Sequence, residues 1–138
     1  MGYFKDAEDV YSTLGKLFVD ITADPELGPR FRQADTVVRY EYSDPEAAIT
    51  VRLQEEGEGA DVEFGDPSRE PEVTMMMEAD TAHRFWLGEV NVTGALARGE
   101  IKAEGPVAKI LALVPLAKPV FPRYKARLEQ QGRADLLG

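Results

Sequence analysis

Over the first twenty-two residues the apolar side chains fall about one helical turn apart. Val10, Leu14, Leu17 and Ile21 recur at intervals of three and four, and Tyr11 and Phe18 broaden the stripe. Asp6 to about Thr22 is therefore predicted to be a surface helix with one buried face. "DPELGPRF" then offers Asp24 as a cap, Pro25 at a first helical position, and Gly28-Pro29 as the stop of a very short second helix. Beyond it the period changes to two. In "TVVRYEY" Val38, Tyr40 and Tyr42 share a face opposite Val37, Arg39 and Glu41. In "AAITVRL" Ile49, Val51 and Leu53 share a face opposite Ala48, Thr50 and Arg52. The turn "SDPE" divides the two, which predicts a hairpin with one dry and one mixed face. "EEGEG" turns the chain into a weaker third strand, "ADVEF", and the loop "GDPSREP" leads to a fourth, "EVTMMMEAD".

Helical periodicity then returns. Asp80 is predicted to cap "TAHRFWL", with Gly88 just beyond its end, and a short helical segment surrounds "NVTGALA". In "GEIKAEG" Ile101 and Ala103 alternate with Glu100, Lys102 and Glu104, giving a last strand. Pro106 opens "PVAKILALV", apolar nearly all round, with Lys109 its one charge. Val107, Ile110, Leu111 and Val114 form its main stripe, while Leu113 and Leu116 look elsewhere. "PLAKPVFP" is predicted to break this helix. Pro122 starts a final one, "RYKARLEQQ", released by Gly132, and the residues after Arg133 are expected to fray. The order predicts a single α+β domain over residues 1–138, with 117–138 a C-terminal helical extension.

Composition narrows the function more than the fold. With 43% apolar and 30% charged residues, the 138-residue chain has the balance of one folded domain. It has no cysteine, which removes disulfides, thiolate metal sites and a thiol nucleophile together. "MGYFKDAEDVY" is acidic and lacks the apolar run of a secretory signal, and no stretch reaches the length of a membrane span, so the expected compartment is the cytoplasm. The net charge of −9 divides unevenly, with acids concentrated before residue 80 and bases after it. Acid excess argues against nucleic acid as a partner. The basic second half leaves room for a local patch that meets an anionic head group or touches a membrane transiently.

Reaction chemistry finds little support. His83 is the only histidine, Ser12, Ser43 and Ser68 are the serines, and no "GxSxG" elbow is present. Asp80 and His83 lie three apart, enough for a hydrogen bond but not a catalytic pair, and His83 reads as structural. One histidine without cysteine makes no zinc site, the acids miss the calcium-loop spacing, and Gly94, Gly99 and Gly105 do not form a phosphate loop. No cofactor is expected. What stands out is oily surface: Met75 and Met77 on one strand face with Met76 on the other, then the consecutive Phe85, Trp86 and Leu87, then "KILALVPLAKPVF". Methionine, unbranched and polarisable, fills irregular space. Helices this apolar need a second layer, a subunit partner or a lipid against them.

At these segments the chain resembles the sterol carrier protein-2 domain family, from about Leu14 to Leu116. The most specific stretch is "PEVTMMMEADTAHRFWLGEVNVTGALARGEIKAEGPVAKILAL", in which Gly99, Ile101, Lys102 and Gly105 occupy the closing "G-x-[LI]-K-x-x-G" motif. "VVRYEYSDPEAAITVRLQ" resembles the family's opening hairpin. The resemblance implies a five-stranded twisted mixed sheet in the order 3-2-1-4-5, helices on one face, and an apolar tunnel between the layers. It implies non-catalytic binding or transfer of a fatty acid, acyl-CoA, sterol or phospholipid. Met75, Met76, Met77, Phe85, Trp86, Leu87, Ile101, Ile110, Leu111 and Val114 are then the expected cavity lining. Arg98, Lys102 and Lys109 are the candidates to meet a head group. Two rivals stay open: an interaction module that forms a homodimer over a filled cavity, and a small enzyme using Asp80 or Tyr40. The segment 117–138 departs from the family pattern and would either plug the mouth or pair with a second subunit.

Overall fold

A computed structural model describes residues 2–55, 61–65 and 70–137. Most of the predicted turn "EEGEG" and loop "GDPSREP", with Ser68, lies outside the described residues, as does the Val107 side chain. Five strands form one sheet: β1 (Thr36–Ser43), β2 (Ala47–Leu53), β3 (Val62–Phe64), β4 (Val73–Glu78) and β5 (Ile101–Glu104). Their spatial order is β3-β2-β1-β4-β5, as the resemblance implies. The β1–β4 pair is parallel and the others are antiparallel, so the sheet is mixed.

The register sorts side chains by period two into a dry and a wet face. On β1, Val38, Tyr40 and Tyr42 join the core while Arg39 pairs with Glu41 at 3.0 Å on the reverse. On β4, Met75 lies between Tyr40 and Ala103, and Met77 between Tyr42 and Ile101. Met76 instead lies between Glu41 and Lys102, on the charged face.

The helices cover the dry face. The first is continuous from α1 (Ala7–Val10) through a π-helical stretch (Tyr11–Gly15) into α2 (Lys16–Ala23). Asp6 caps it by accepting from the Asp9 N–H at 2.9 Å. Gly15 lies where any side chain would strike the Phe64 ring, since an added Cβ would be 2.7 Å from it. Asp24 caps as predicted, accepting from the N–H groups of Glu26 and Leu27 at 2.9 and 2.8 Å. The short helix does not stop at Gly28-Pro29, however; α3 runs Leu27–Arg32, because proline within the first turn lacks only an N–H that no helical carbonyl requires.

The cap of the helix after β4 differs from the expectation. Glu78, not Asp80, stands at the cap of α4 (Ala79–Trp86), and Asp80 accepts the Tyr3 N–H at 2.9 Å, anchoring the N-terminus. After α5 (Val92–Arg98), capped by Asn91, the helix α6 (Val107–Ala117) carries Pro115 in its last turn and ends inside "PLAKPVFP", as predicted. A 3-10 turn (Lys118–Val120) then joins it to α7 (Phe121–Gln130).

The C-terminus does not fray. Beyond α7 a 3-10 turn (Ala134–Leu136) buries Leu136 to 1% exposure. Arg133 reaches across the chain to Asp9, and the Leu136 carbonyl accepts from His83 Nε2 at 2.7 Å. Leu136 joins the buried Tyr124 and Leu128 of α7 in the core, a burial that the polar stretch "EQQGRAD" before it conceals.

Candidate functional site

Between the dry sheet face and the helices lies an apolar cavity with about 70 Å³ of free space. From the sheet, Val38, Tyr40 and Tyr42 of β1, Met75 and Met77 of β4 and Ile101 of β5 form its floor, with Val51 and Leu53 of β2 at one side. Phe18 and Ile21 of α2, Phe85 and Trp86 of α4, and Ile110, Leu113, Val114 and Ala117 of α6 close it from above. These four strands and three helices, far apart in sequence, thus present their apolar positions to one space. Among the described residues no Asp, Glu, Lys, Arg or His lies in this wall.

Aromatic packing fixes the upper rim. Phe18 stacks on Tyr40 with centroids 4.9 Å apart and meets Trp86 edge-on at 5.8 Å. Trp86 in turn contacts Phe85 at 4.9 Å and Phe121 at 6.5 Å, both steeply inclined. Such edge-to-face pairs hold rings at defined angles. Phe121 backs Trp86 from outside, and neither it nor any residue from 118 to 137 lines the cavity. The described part of the C-terminal extension therefore does not plug it. α7 instead docks on α2 through the Arg127–Asp20 ion pair, and Arg123 meets Asp24.

Of the ten lining residues expected from sequence, Met75, Met77, Phe85, Trp86, Ile101, Ile110 and Val114 border this cavity. Three do not. Met76 is on the reverse sheet face because consecutive strand residues alternate. Leu87 is buried, but it follows the last turn of α4, outside the cavity wall. Leu111 is 44% exposed, because its neighbours Ile110 and Leu113 already occupy the inward arc of α6. The sequence reading overlooked Phe18, Ile21 and Phe31 from the N-terminal helices, and Val38, Tyr42, Val51 and Leu53 from the hairpin. Their inward faces were legible as core positions, but no local signal separates a cavity wall from a packed core.

None of the three bases expected at the opening lines the cavity. Arg98 makes two hydrogen bonds to Glu100, each 3.1 Å. Lys109 donates to the Asp35 carbonyl and to Glu72, each at 2.9 Å. Lys102 is exposed on β5, opposite Met76 on the charged face.

Of the two groups named for the catalytic alternative, only one reaches the cavity. Asp80 is outside the cavity. Tyr40 borders it, but burial pushes its phenol far above the ordinary value, so it is a neutral hydroxyl rather than a base. His83 is fully buried and structural. Its Nε2–H must be the donor to the Leu136 carbonyl, so Nδ1 accepts from the Tyr124 hydroxyl at 2.8 Å. Burial lowers its pKa, against opposing influences from the Leu136 hydrogen bond, Asp80 and Glu89. Among the described residues no cluster of three or more His, Asp or Glu side chains is placed to hold a metal. No helix among them is long and apolar enough to cross a membrane.

The model of the SCP-2 sterol transfer family matches residues 16–118. Comparison with curated protein sequences gives no match. Among solved structures, the chain is similar to the sterol carrier protein domain 2 of Helicoverpa armigera, at TM-score 0.68 and 17% identity, covering 86% of this chain and 94% of that one. The apo form of sterol carrier protein 2 from Yarrowia lipolytica gives TM-score 0.63 at 15% identity, over 81% and 94%. Sterol carrier protein 2 of Aedes aegypti, in complex with the C16 fatty acid palmitate, gives 0.53 at 19% identity, over 80% and 93%.

Proposed function

The chain belongs to the SCP-2 sterol transfer family, and from that premise we propose that it is a non-catalytic carrier that encloses one lipid-type ligand between its sheet and helices. The carrying observation is the wall itself: apolar side chains from sheet, α2, α4 and α6 converge on one space that no charged side chain among the described residues borders. Such a space offers transfer free energy and no chemistry. A twelve-carbon chain buried there gains roughly 10 kcal/mol before ordering costs, at about 0.8 kcal/mol per CH₂. After those costs a micromolar affinity, about −8 kcal/mol, is expected.

The free space of about 70 Å³ is well below the roughly 300 Å³ at the small end of ligand pockets. The cavity is therefore read as the closed form of a tunnel. Met75 and Met77, with three rotatable bonds each, are the wall members most able to give way. α6 is the cover that would lift: its polar ties are the exposed Lys109 bonds to Glu72 and the Asp35 carbonyl, and the rest of its hold is the apolar packing of Ile110, Leu113 and Ala117. Palmitate, the ligand of the Aedes aegypti relative, is the first probe to use.

Trp86, the only tryptophan, is in the wall and reports occupancy directly. Titration with palmitate should change its emission saturably at one ligand per chain, and native mass spectrometry should show the same stoichiometry. No retained mass and no change at Trp86 would remove the carrier reading. The small free volume favours one second reading, an interaction module with a filled interior and the exposed Leu111 face of α6 against a second copy. A ligand-free dimer in the same mass spectrum would select it.

A further inference from the structure

One polar group in the cavity wall has no structural employment. Tyr42 lines the cavity at the end of β1, between Ala47 and Met77, and is 5% exposed. Its hydroxyl is wholly buried and has no hydrogen-bond partner among the described residues. Buried polar groups are paired in the great majority of proteins, and an orphaned one costs stability that phenylalanine would not. The other hydroxyls nearby are accounted for differently. Thr22 donates to the Phe18 carbonyl at 3.0 Å, Tyr124 serves His83, and the hydroxyl of Tyr40, whose ring is 6.3 Å from that of Tyr42, is not among the enclosed atoms left unpaired.

We infer that the Tyr42 hydroxyl is the polar subsite of the cavity, a hydrogen-bonding point for a single uncharged oxygen, alcohol or carbonyl, on an otherwise apolar ligand. This rests on the carrier reading and adds the ligand's chemical class to it. Among the described residues no Lys, Arg or His borders the space, and Arg98 and Lys109 are engaged elsewhere. A carboxylate at Tyr42 would be buried without a counter-charge, which is costly. Burial also keeps the Tyr42 phenol protonated by raising its pKa, so it presents an O–H that donates to a carbonyl and lone pairs that accept from an alcohol. A water in that space would find few partners, because stable internal waters need two to four. A ligand oxygen would displace it readily.

The test uses Tyr42→Phe and three eight-carbon probes read through Trp86 fluorescence: 1-octanol, octanoate and 1-fluorooctane. One net hydrogen bond corresponds to a roughly 2- to 12-fold change in Kd. The variant should bind 1-octanol that much more weakly, bind the other two as the unchanged protein does, and melt at the same or a higher temperature. Infrared spectra of the unchanged protein supply an independent measure: 1-octanol should shift a tyrosine ring band that 1-fluorooctane leaves in place. Equal binding of 1-octanol by both proteins, or an equal loss for all three probes, would overturn the subsite while leaving the carrier reading intact. So would an equal loss for octanoate and 1-octanol, which would overturn the preference for an uncharged oxygen. If the unchanged protein binds none of the probes and no palmitate, the carrier reading fails and the subsite with it.

Discussion

Replacing Tyr124 by phenylalanine removes one oxygen atom from the middle of the fold and keeps the ring that packs there. Both Tyr124 and His83 are fully buried, and their 2.8 Å hydrogen bond joins α7 to α4. Because Nε2 carries its proton toward the Leu136 carbonyl, Nδ1 is an acceptor, and no other donor reaches it among the described residues. The loss therefore has two parts: about 1 kcal/mol of net hydrogen-bond stability, and about 1–3 kcal/mol for leaving a buried acceptor unpaired. A total of about 2–4 kcal/mol corresponds to a fall in Tm of about 6–16 °C for a domain of this size. Urea denaturation followed at Trp86, with calorimetry at pH 7.5, measures it. The burial of His83 predicts a pH response in the unchanged protein. Burial holds the folded pKa of His83 below its ordinary value, so the unfolded chain takes up the proton first as pH falls. Stability is then complete above about pH 6.5 and declines as pH falls toward the folded pKa, at no more than about 1.4 kcal/mol per pH unit. His83 is the only histidine, so a slope between pH 6.5 and 5.5 belongs to it. A Tyr124→Phe variant as stable as the unchanged protein, together with a flat profile in that window, would refute the reasoning.

Three further outcomes follow from the fold. Gly105 has φ +104°, and a Cβ there would lie 2.3 Å from the Glu72 carbonyl oxygen, so Gly105→Ala should cost about 3 kcal/mol or more, read by thermal melting. Asp9→Asn should cost about 1–2 kcal/mol at pH 7, because Asp9 is nearly enclosed beside Arg133. Burial opposes its ionisation, but hydrogen bonds from Arg133 and the Lys5 N–H outweigh that and hold its pKa low; the stability it adds is present at neutral pH and is lost as pH falls below about 4, so urea titrations should show a smaller acid loss in the variant. Finally, Val114→Trp, at the half-buried margin of the cavity, should weaken palmitate binding at least about 10-fold, whereas Leu111→Lys on the exposed side of α6 should leave it unchanged.

Periodicity alone established the sheet's two faces, the amphipathic first helix and the order of elements. Period two fixes which side chains share a face whatever the sheet's surroundings, so Val38, Tyr40 and Tyr42 were legible as inward before any neighbour was known. The residues of "GEIKAEG" carried the family resemblance, and Gly105 shows why: β4 passes too close for a Cβ. Other features were decided only by tertiary contact. Met76 and Leu111 look as oily as Met75 and Ile110, and only the charged reverse face of the sheet and the outward arc of α6 separate them. The terminal "RADLL" reads as loose until Asp9 and His83, more than fifty residues away in sequence, supply its partners. Local pattern records whether a side chain avoids water. Which distant surface it meets, and whether that meeting leaves a space, depends on how the layers stack.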